Sequence, residues 1–169
     1  MSIRQQQLEM FVASHDFEGP TVRYQLMELI VERENMARAL KRVRHNKGKP
    51  GVDGMTVDQL PSYLRRHWPK IREDLLNGRY KPFPVRRKEI SKPDGGVRLL
   101  GIPTVLDRLI QQATAYILQQ IWDPTFSEYS FGFRPGLSQH DAIICAKGFI
   151  EEGYRNSVDI DLSKFFRPS

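Results

Sequence analysis

Apolar positions begin to recur at three- and four-residue spacing after Thr21. Leu26, Leu29 and Ile30 form one run, and Met36, Ala39, Leu40 and Val43 form a second. That spacing predicts helices burying one stripe. A break near residues 33–35 divides the stretch in two. Arg38, Lys41, Arg42 and Arg44 then fall on the opposite side. Residues 46–56, "NKGKPGVDGMT", hold three glycines and a proline and predict a loop. Helical spacing returns from Thr56 to about Asn77, through Leu60, Leu64, Ile71, Leu75 and Leu76. Pro61 suits a first helical turn, whereas Pro69 predicts a break. "NGRYKPFPV" reads as an extended crossing.

The period then changes. Residues 85–102, "VRRKEISKPDGGVRLLGI", place a "PDGG" turn signal between two runs of strand character, the pattern of a β-hairpin. Residues 104–124 return to helical spacing through Leu106, Leu109, Ile110, Ala113, Ile117 and Ile121. Thr104 with Asp107 approximates a capping box, and Pro124 stops the helix. "FSEYSFGFRPGLS" is a loop dense in aromatic residues. Ser138 with Asp141 caps a last helix through about Glu151, with Ala142, Ile143, Ala146 and Ile150 facing inward, and Gly153 ends it. A terminal strand follows over residues 158–165. The fold class predicted is α+β, with residues 1–20 a lead-in, 21–153 a mostly helical body carrying a basic hairpin, and 154–169 a strand. Tyr63, Trp68 and Trp122 are assigned to the core.

Charge sharpens this outline. Residues 38–49 carry six Lys or Arg and no acidic residue, and residues 65–98 carry a net charge of +7. The whole chain is only +6, so the rest is acidic. So uneven a distribution is the footprint of a polyanion partner. The single Cys145 excludes an internal disulfide and fits a reducing cytoplasm. The N-terminus lacks the apolar region of a signal peptide, and no apolar run is long enough for a membrane span. His45 and His140 have no second metal-type ligand at suitable spacing.

Side-chain alternation puts Asp159, Asp161 and Ser163 on one face of the terminal strand and Ile160, Leu162 and Lys164 on the other. Two readings fit: an amphipathic edge strand with a wet carboxylate face, or a paired-carboxylate site for a hard cation such as magnesium.

Four segments carry a resemblance: "NKGKPGVDGMT" (46–56), "KPDGGVRLLGIPTVLDRLIQQA" (92–113), "FSEYSFGFRPGLSQHDA" (126–142) and "VDIDLSKFF" (158–166). In this order and spacing, the chain from about Leu26 resembles the N-terminal part of a group II intron-encoded reverse transcriptase. The resemblance implies the fingers and first palm strand of a right-hand polymerase. It implies an RNA-directed DNA polymerase with a maturase role in splicing, using Mg²⁺, an RNA template, intron RNA, a DNA primer and a dNTP. Asp161 corresponds to the first catalytic aspartate and metal ligand, with the Leu162 carbonyl beside it. Phe166 matches the aromatic under the sugar that excludes a 2′-hydroxyl. Lys92 and Arg98 match the two cations over the triphosphate, and Leu100 sits against the templating base. Residues 46–54 resemble a lid over the template, presenting Lys47 and Lys49. Arg86, Arg87 and Lys88 are expected on nucleic-acid backbone, and Arg134 is suited to gripping or stacking on it. Asp159 has no metal role in that pattern.

The match departs at its end: the family pattern continues with aspartate after "KFF", and here Arg167, Pro168 and Ser169 follow. One carboxylate cannot assemble a two-metal site. The expectation is therefore that this chain alone binds RNA without polymerising, and that an uncovered strand edge favours a homodimer. The alternatives are a non-enzymatic RNA-binding module, or a related bacterial reverse transcriptase in defence or diversity generation. The expected setting is cytoplasmic, in a bacterial or organellar ribonucleoprotein.

Overall fold

The computed structural model describes residues 20–91, 93 and 95–160. Helix α1, Pro20–Ile30, and helix α2, Arg33–His45, follow each other closely. The break between them lies at Val31 and Glu32, slightly before the position expected. Glu32 is the N-cap of α2, its carboxylate accepting from the Asn35 amide N–H at 3.3 Å. Asn35 is fully buried, and its Nδ2 donates to the Ile30 carbonyl at 2.8 Å. That carbonyl ends α1 and has no partner within the helix. The same Nδ2 donates to the Ala113 carbonyl at 3.0 Å, tying the junction to helix α4, Val105–Trp122.

Helices α2 and α4 form the centre of the core. Met36, Ala39 and Val43 of α2 are buried, as are Val105, Leu106, Leu109, Ala113, Ile117 and Ile121 of α4. Small Ala39 and Ala113 are both fully buried and allow close packing. Trp68 and Tyr63 pack against this core partly buried. Trp122, assigned to the core from the sequence, is 46% exposed; it closes the last turn of α4 one residue beyond the buried Ile121.

Helix α3, Leu60–Leu76, runs unbroken through Pro69, contrary to the break expected. Nine residues at 100° per residue place Pro69 on the side opposite Leu60. Leu60 is buried and Pro69 exposed. The carbonyl that proline leaves unbonded therefore faces water, and burial of Leu60, Ile71 and Leu75 holds the helix together. The helix starts four residues later than its periodicity, because Gln59 turns back to accept from the Thr56 N–H at 2.8 Å. It ends in a Schellman motif. Gly78 has φ +67°, its N–H donates to the Leu75 carbonyl, and the Arg79 N–H donates to the Asp74 carbonyl at 2.7 Å.

Strands β1, Arg86–Ser91, and β2, Val97–Ile102, pair antiparallel as the expected hairpin. The described residues thus form an α+β fold. They divide into two compact units between Pro124 and Thr125, with α1 to α4 and the hairpin in the first. The second holds helix α5, Gln139–Glu151, with the expected capping box between Ser138 and Asp141. These hydrogen bonds from Ser138 hold the Asp141 carboxyl below its ordinary range. Tyr129, Phe149 and Tyr154 form an aromatic cluster, with ring centroids 5.5 and 5.8 Å apart. The inward face expected for α5 is corrected. Ile143, Ala146 and Ile150 are exposed, because the cluster forms around Phe149 and no described residue of this unit covers the other side. Val158, Asp159 and Ile160 are exposed and outside any strand, since no neighbouring strand among the described residues takes up their backbone groups. The rest of the expected terminal strand lies outside the described residues.

Candidate nucleic-acid interface

The hairpin is anchored by a buried carboxylate. Asp107 lies in the first turn of α4, where the sequence pattern assigns it a cap. The cap exists: Thr104 Oγ1 accepts from the Asp107 N–H at 3.1 Å and donates to its carboxylate at 2.6 Å. The same carboxylate accepts from the Tyr80 hydroxyl at 2.7 Å and the Phe83 N–H at 3.1 Å. Both donors lie in the extended segment that leads into β1, so one side chain fixes the hairpin's base to the helix. Burial, reinforced by the Asp107 carboxylate, pushes the Tyr80 hydroxyl well above its ordinary range. The sequence shows the cap but gives no sign of these two longer reaches.

Register sorts the hairpin's cations. Arg86 pairs with Ile102, Lys88 with Leu100 and Ile90 with Arg98. Paired and alternate residues share a face. One face therefore carries Arg86, Lys88, Ile90, Arg98, Leu100 and Ile102. Each cation lies opposite an aliphatic residue, and Lys88 and Arg98 are diagonal neighbours. Arg87 belongs to the other face with Glu89, Leu99 and Gly101. All of these residues are exposed except half-buried Ile102. Such a face can hold phosphate on its cations while its aliphatic side chains meet a base or sugar.

The 46–56 loop is moulded onto the start of α4. A Cβ at Gly51 would lie 2.6 Å from Thr104 Cα, so only glycine allows this approach. Arg108 Nη2 donates to the Lys49 carbonyl at 2.8 Å, with its guanidinium close above Gly48. Burial pulls this guanidinium below its ordinary value, opposed by the charge of Asp53. Arg108 lies within the 92–113 segment that carries the resemblance, but its hold on the 46–56 loop is not visible in the sequence. On its outer side the loop joins the end of α2 around an open groove of about 760 Å³, lined by Lys41, Arg44, His45, Lys47 and Lys49.

In the second unit, Arg134 turns into its own loop. Its Nη1 donates to the carbonyls of Ser127 at 2.9 Å and Ser130 at 3.1 Å, and its guanidinium lies 5.7 Å from the centroid of Phe126. Phe131 is half-buried, whereas Phe133 is fully exposed with φ +59°. Lys92, Asp161, Leu162 and Phe166 lie outside the described residues. Among the described residues no group of three or more His, Cys, Asp or Glu could hold a metal ion, and no helix is long and apolar enough to cross a membrane.

Residues 90–167 match the family model described as reverse transcriptase (RNA-dependent DNA polymerase). The group II intron-encoded protein LtrA of Lactococcus lactis is 40% identical over 106 residues, 62% of this chain and 18% of that protein. Residues 90–167 thus carry reverse transcriptase sequence, and the chain is similar to a group II intron-encoded protein. Protein YkfC of Escherichia coli is 38% identical over 154 residues, 87% of this chain and 40% of that protein. The putative COX1/OXI3 intron 2 protein of Saccharomyces cerevisiae is 32% identical over 150 residues, 86% of this chain and 17% of that protein. The chain therefore spans two-fifths or less of the length of these relatives. The reverse transcriptase model takes in β2 with Arg98 and Leu100, and also Arg134. The groove lies before it, in the part of the chain that a relative aligned over 87% of the chain must reach.

Proposed function

We propose that the chain is part of an RNA-directed DNA polymerase of an intron-encoded ribonucleoprotein with a maturase role. In this reading the hairpin face holds the incoming dNTP, with Lys92 and Arg98 on its triphosphate and Leu100 against the templating base. Arg86 and Lys88 extend the same cationic face towards RNA template or intron RNA, and Arg87 contacts backbone from the other side. The observation that carries the reading is the grouping of Arg86, Lys88, Arg98 and Leu100 on one exposed face, partly within the reverse transcriptase match.

Asp161 and the Leu162 carbonyl are the residues that would hold a divalent ion, magnesium in this reading. The ion would supply charge neutralisation at the triphosphate and the primer 3′-hydroxyl. Phe166 would select deoxynucleotides, and Arg134 would serve nucleic acid by shaping the aromatic loop that carries Phe133. Exposed Ile143, Ile144 and Ile150 of α5 support association with a second copy.

Photocrosslinking with a reactive dNTP in the presence of RNA tests the reading. Label on the hairpin that is lost in Arg98→Ala supports it. RNA binding with no nucleotide crosslink at any concentration leaves an RNA-binding role alone.

A further inference from the structure

The 46–56 loop and the hairpin meet at one short turn of chain. β2 ends at Ile102, and Pro103 and Thr104 carry the chain straight into α4. The segment leading into β1 is tied to the same turn from the other side, through the Tyr80 hydroxyl and the Phe83 N–H on the Asp107 carboxylate. Thr104 is fully buried, and its hydroxyl donates to that carboxylate at 2.6 Å. Both strands of the hairpin are therefore rooted within residues 103–107.

The loop seats on this root. A Cβ on Gly51 would lie 2.7 Å from the Thr104 backbone nitrogen and 3.0 Å from the Pro103 carbonyl carbon. Gly51 is buried and has no left-handed backbone, so glycine serves closeness here and not conformation. One helical turn along, Arg108 donates to the Lys49 carbonyl at 2.8 Å. Its Nε is buried without a partner, so reaching the loop leaves one of its donors unsatisfied. A contiguous path runs from Gly51 through the Thr104 backbone, the Thr104 hydroxyl and the Asp107 carboxylate to Tyr80 and Phe83. Its centre is the first turn of α4, where Val105, Leu106 and Leu109 are buried. So closely packed a turn shifts as a unit and carries a displacement from one side to the other.

We infer that Gly51 and Arg108 are positioning residues for the nucleotide-binding face of the hairpin, and that Thr104 links the two elements. The inference rests on the nucleotide-binding reading of the hairpin given above. Neither Gly51 nor Arg108 lies on that face. The seated loop holds Thr104 in place, Thr104 holds the Asp107 carboxylate, and the carboxylate sets the angle at which the hairpin presents Arg98 and Leu100. Unseating the loop frees the root and lowers the share of hairpins poised for nucleotide. Linkage makes the effect mutual, so nucleotide on the hairpin stabilises the seated loop.

Two measurements on the full chain test it: amide hydrogen exchange by NMR, read at Phe83, and crosslinking of a reactive dNTP to the hairpin in the presence of RNA. Gly51→Ala forces the loop and Thr104 apart without changing charge. It is expected to speed Phe83 exchange and to weaken crosslinking, each by about fivefold or more, the lower end of ordinary coupling between sites. Arg108→Met, which keeps the length of the side chain and removes its donors, is expected to act likewise. Arg108→Lys, which returns a donor, is expected to recover much of the loss. With the hairpin base already loosened by Tyr80→Phe, Gly51→Ala is expected to lower crosslinking by no more than about twofold further, since coupled sites are non-additive. Gly148→Ala on α5, where an added Cβ meets nothing within 4 Å, is expected to change neither readout. Unchanged Phe83 exchange or unchanged crosslinking in folded Gly51→Ala overturns the linkage, as do losses in Gly51→Ala and Tyr80→Phe that simply multiply. Equal losses in Arg108→Met and Arg108→Lys also overturn it, and that pair decides where Gly51→Ala fails to fold. A wild type that takes no nucleotide overturns the function reading instead, and Phe83 exchange then judges the linkage alone.

Discussion

Leu109 and Leu99 stand ten residues apart, and their surroundings are opposite. Leu109 is fully buried in the α2–α4 core, and Leu99 is 62% exposed on β2. The same contrast holds for polar groups. In the helical body Asn35 and Asp107 are buried, and each bonds groups on at least two elements. On strands β1 and β2 every charged side chain is exposed. The body turns most of its buried polar atoms on itself, because an unpaired buried polar group is costly; among the described residues Asn35 Oδ1 and Arg108 Nε are the exceptions. The hairpin leaves its cations and most of its aliphatic side chains exposed, and in the proposed function these meet an external partner. A stable body and an uncommitted ribbon are joined at one carboxylate, Asp107.

That junction gives the largest effect. Asp107→Ala leaves Thr104 Oγ1, the Phe83 N–H and the Tyr80 hydroxyl without their acceptor. A loss of about 4 kcal/mol is expected, from roughly 1–3 kcal/mol per buried group left unsatisfied. Urea denaturation measures it, and Asp107→Asn, which keeps one acceptor oxygen, is expected to lose about half as much. Next comes Leu109→Ala, at about 3 kcal/mol, within the range for emptying a fully buried leucine site. A loss below about 1 kcal/mol at Leu109 would show that the core relaxes around the cavity, and the contrast with the hairpin would narrow.

Much of the body is legible in the sequence because one physical cause dominates there. Leu106, Leu109, Ala113, Ile117 and Ile121 are spaced for one helix face, and that face is buried. The hairpin is legible from its turn chemistry, since Gly95 with φ +84° takes a conformation that favours glycine. Where two causes compete, the sequence misleads. Pro69 signals a break, but its exposed side of α3 lets water replace the lost bond. Ile143 and Ile150 signal a buried stripe, yet no described residue of their own unit covers them. The cations of the hairpin are visible as a set, but register is needed to separate Arg87 from Arg86 and Lys88. Asp107, Arg108 and the groove are long-range features, made by residues such as Lys49 and Arg108 that only the fold brings together.

The junction also gives the body a pH dependence. Tyr80 stays neutral in the fold beyond the value of 10.0 at which an unperturbed tyrosine ionises. Above that pH the unfolded chain releases the proton first, so it binds fewer protons than the folded chain and stability falls as pH rises. The contribution of Tyr80 is complete below about pH 10 and is lost above it. Tyr80→Phe is expected to cost about 1 kcal/mol at pH 8, the net worth of one hydrogen bond, and then to decline less steeply than the wild type. Urea melts at pH 8 and 10.5 make the comparison, with the other tyrosines common to both proteins. Parallel declines would remove Tyr80 from the junction's alkaline response.

The smallest effect is expected on the ribbon itself. Leu99→Ala and Arg98→Ala are each expected to change stability by no more than about 0.5 kcal/mol, as exposed substitutions away from caps and buried bonds do. The two nevertheless lie on opposite faces of the hairpin. Arg98 shares its face with Lys88 and Leu100, so its loss is expected to weaken nucleotide crosslinking with the melting curve unmoved. Leu99→Ala is expected to leave both unchanged. Equal loss of crosslinking in the two variants would mean that the ribbon acts through its shape or flexibility rather than through one chemical face. A stability loss above 1 kcal/mol in either would mean that the hairpin is held by packing, and the division between a committed body and an uncommitted ribbon would fail.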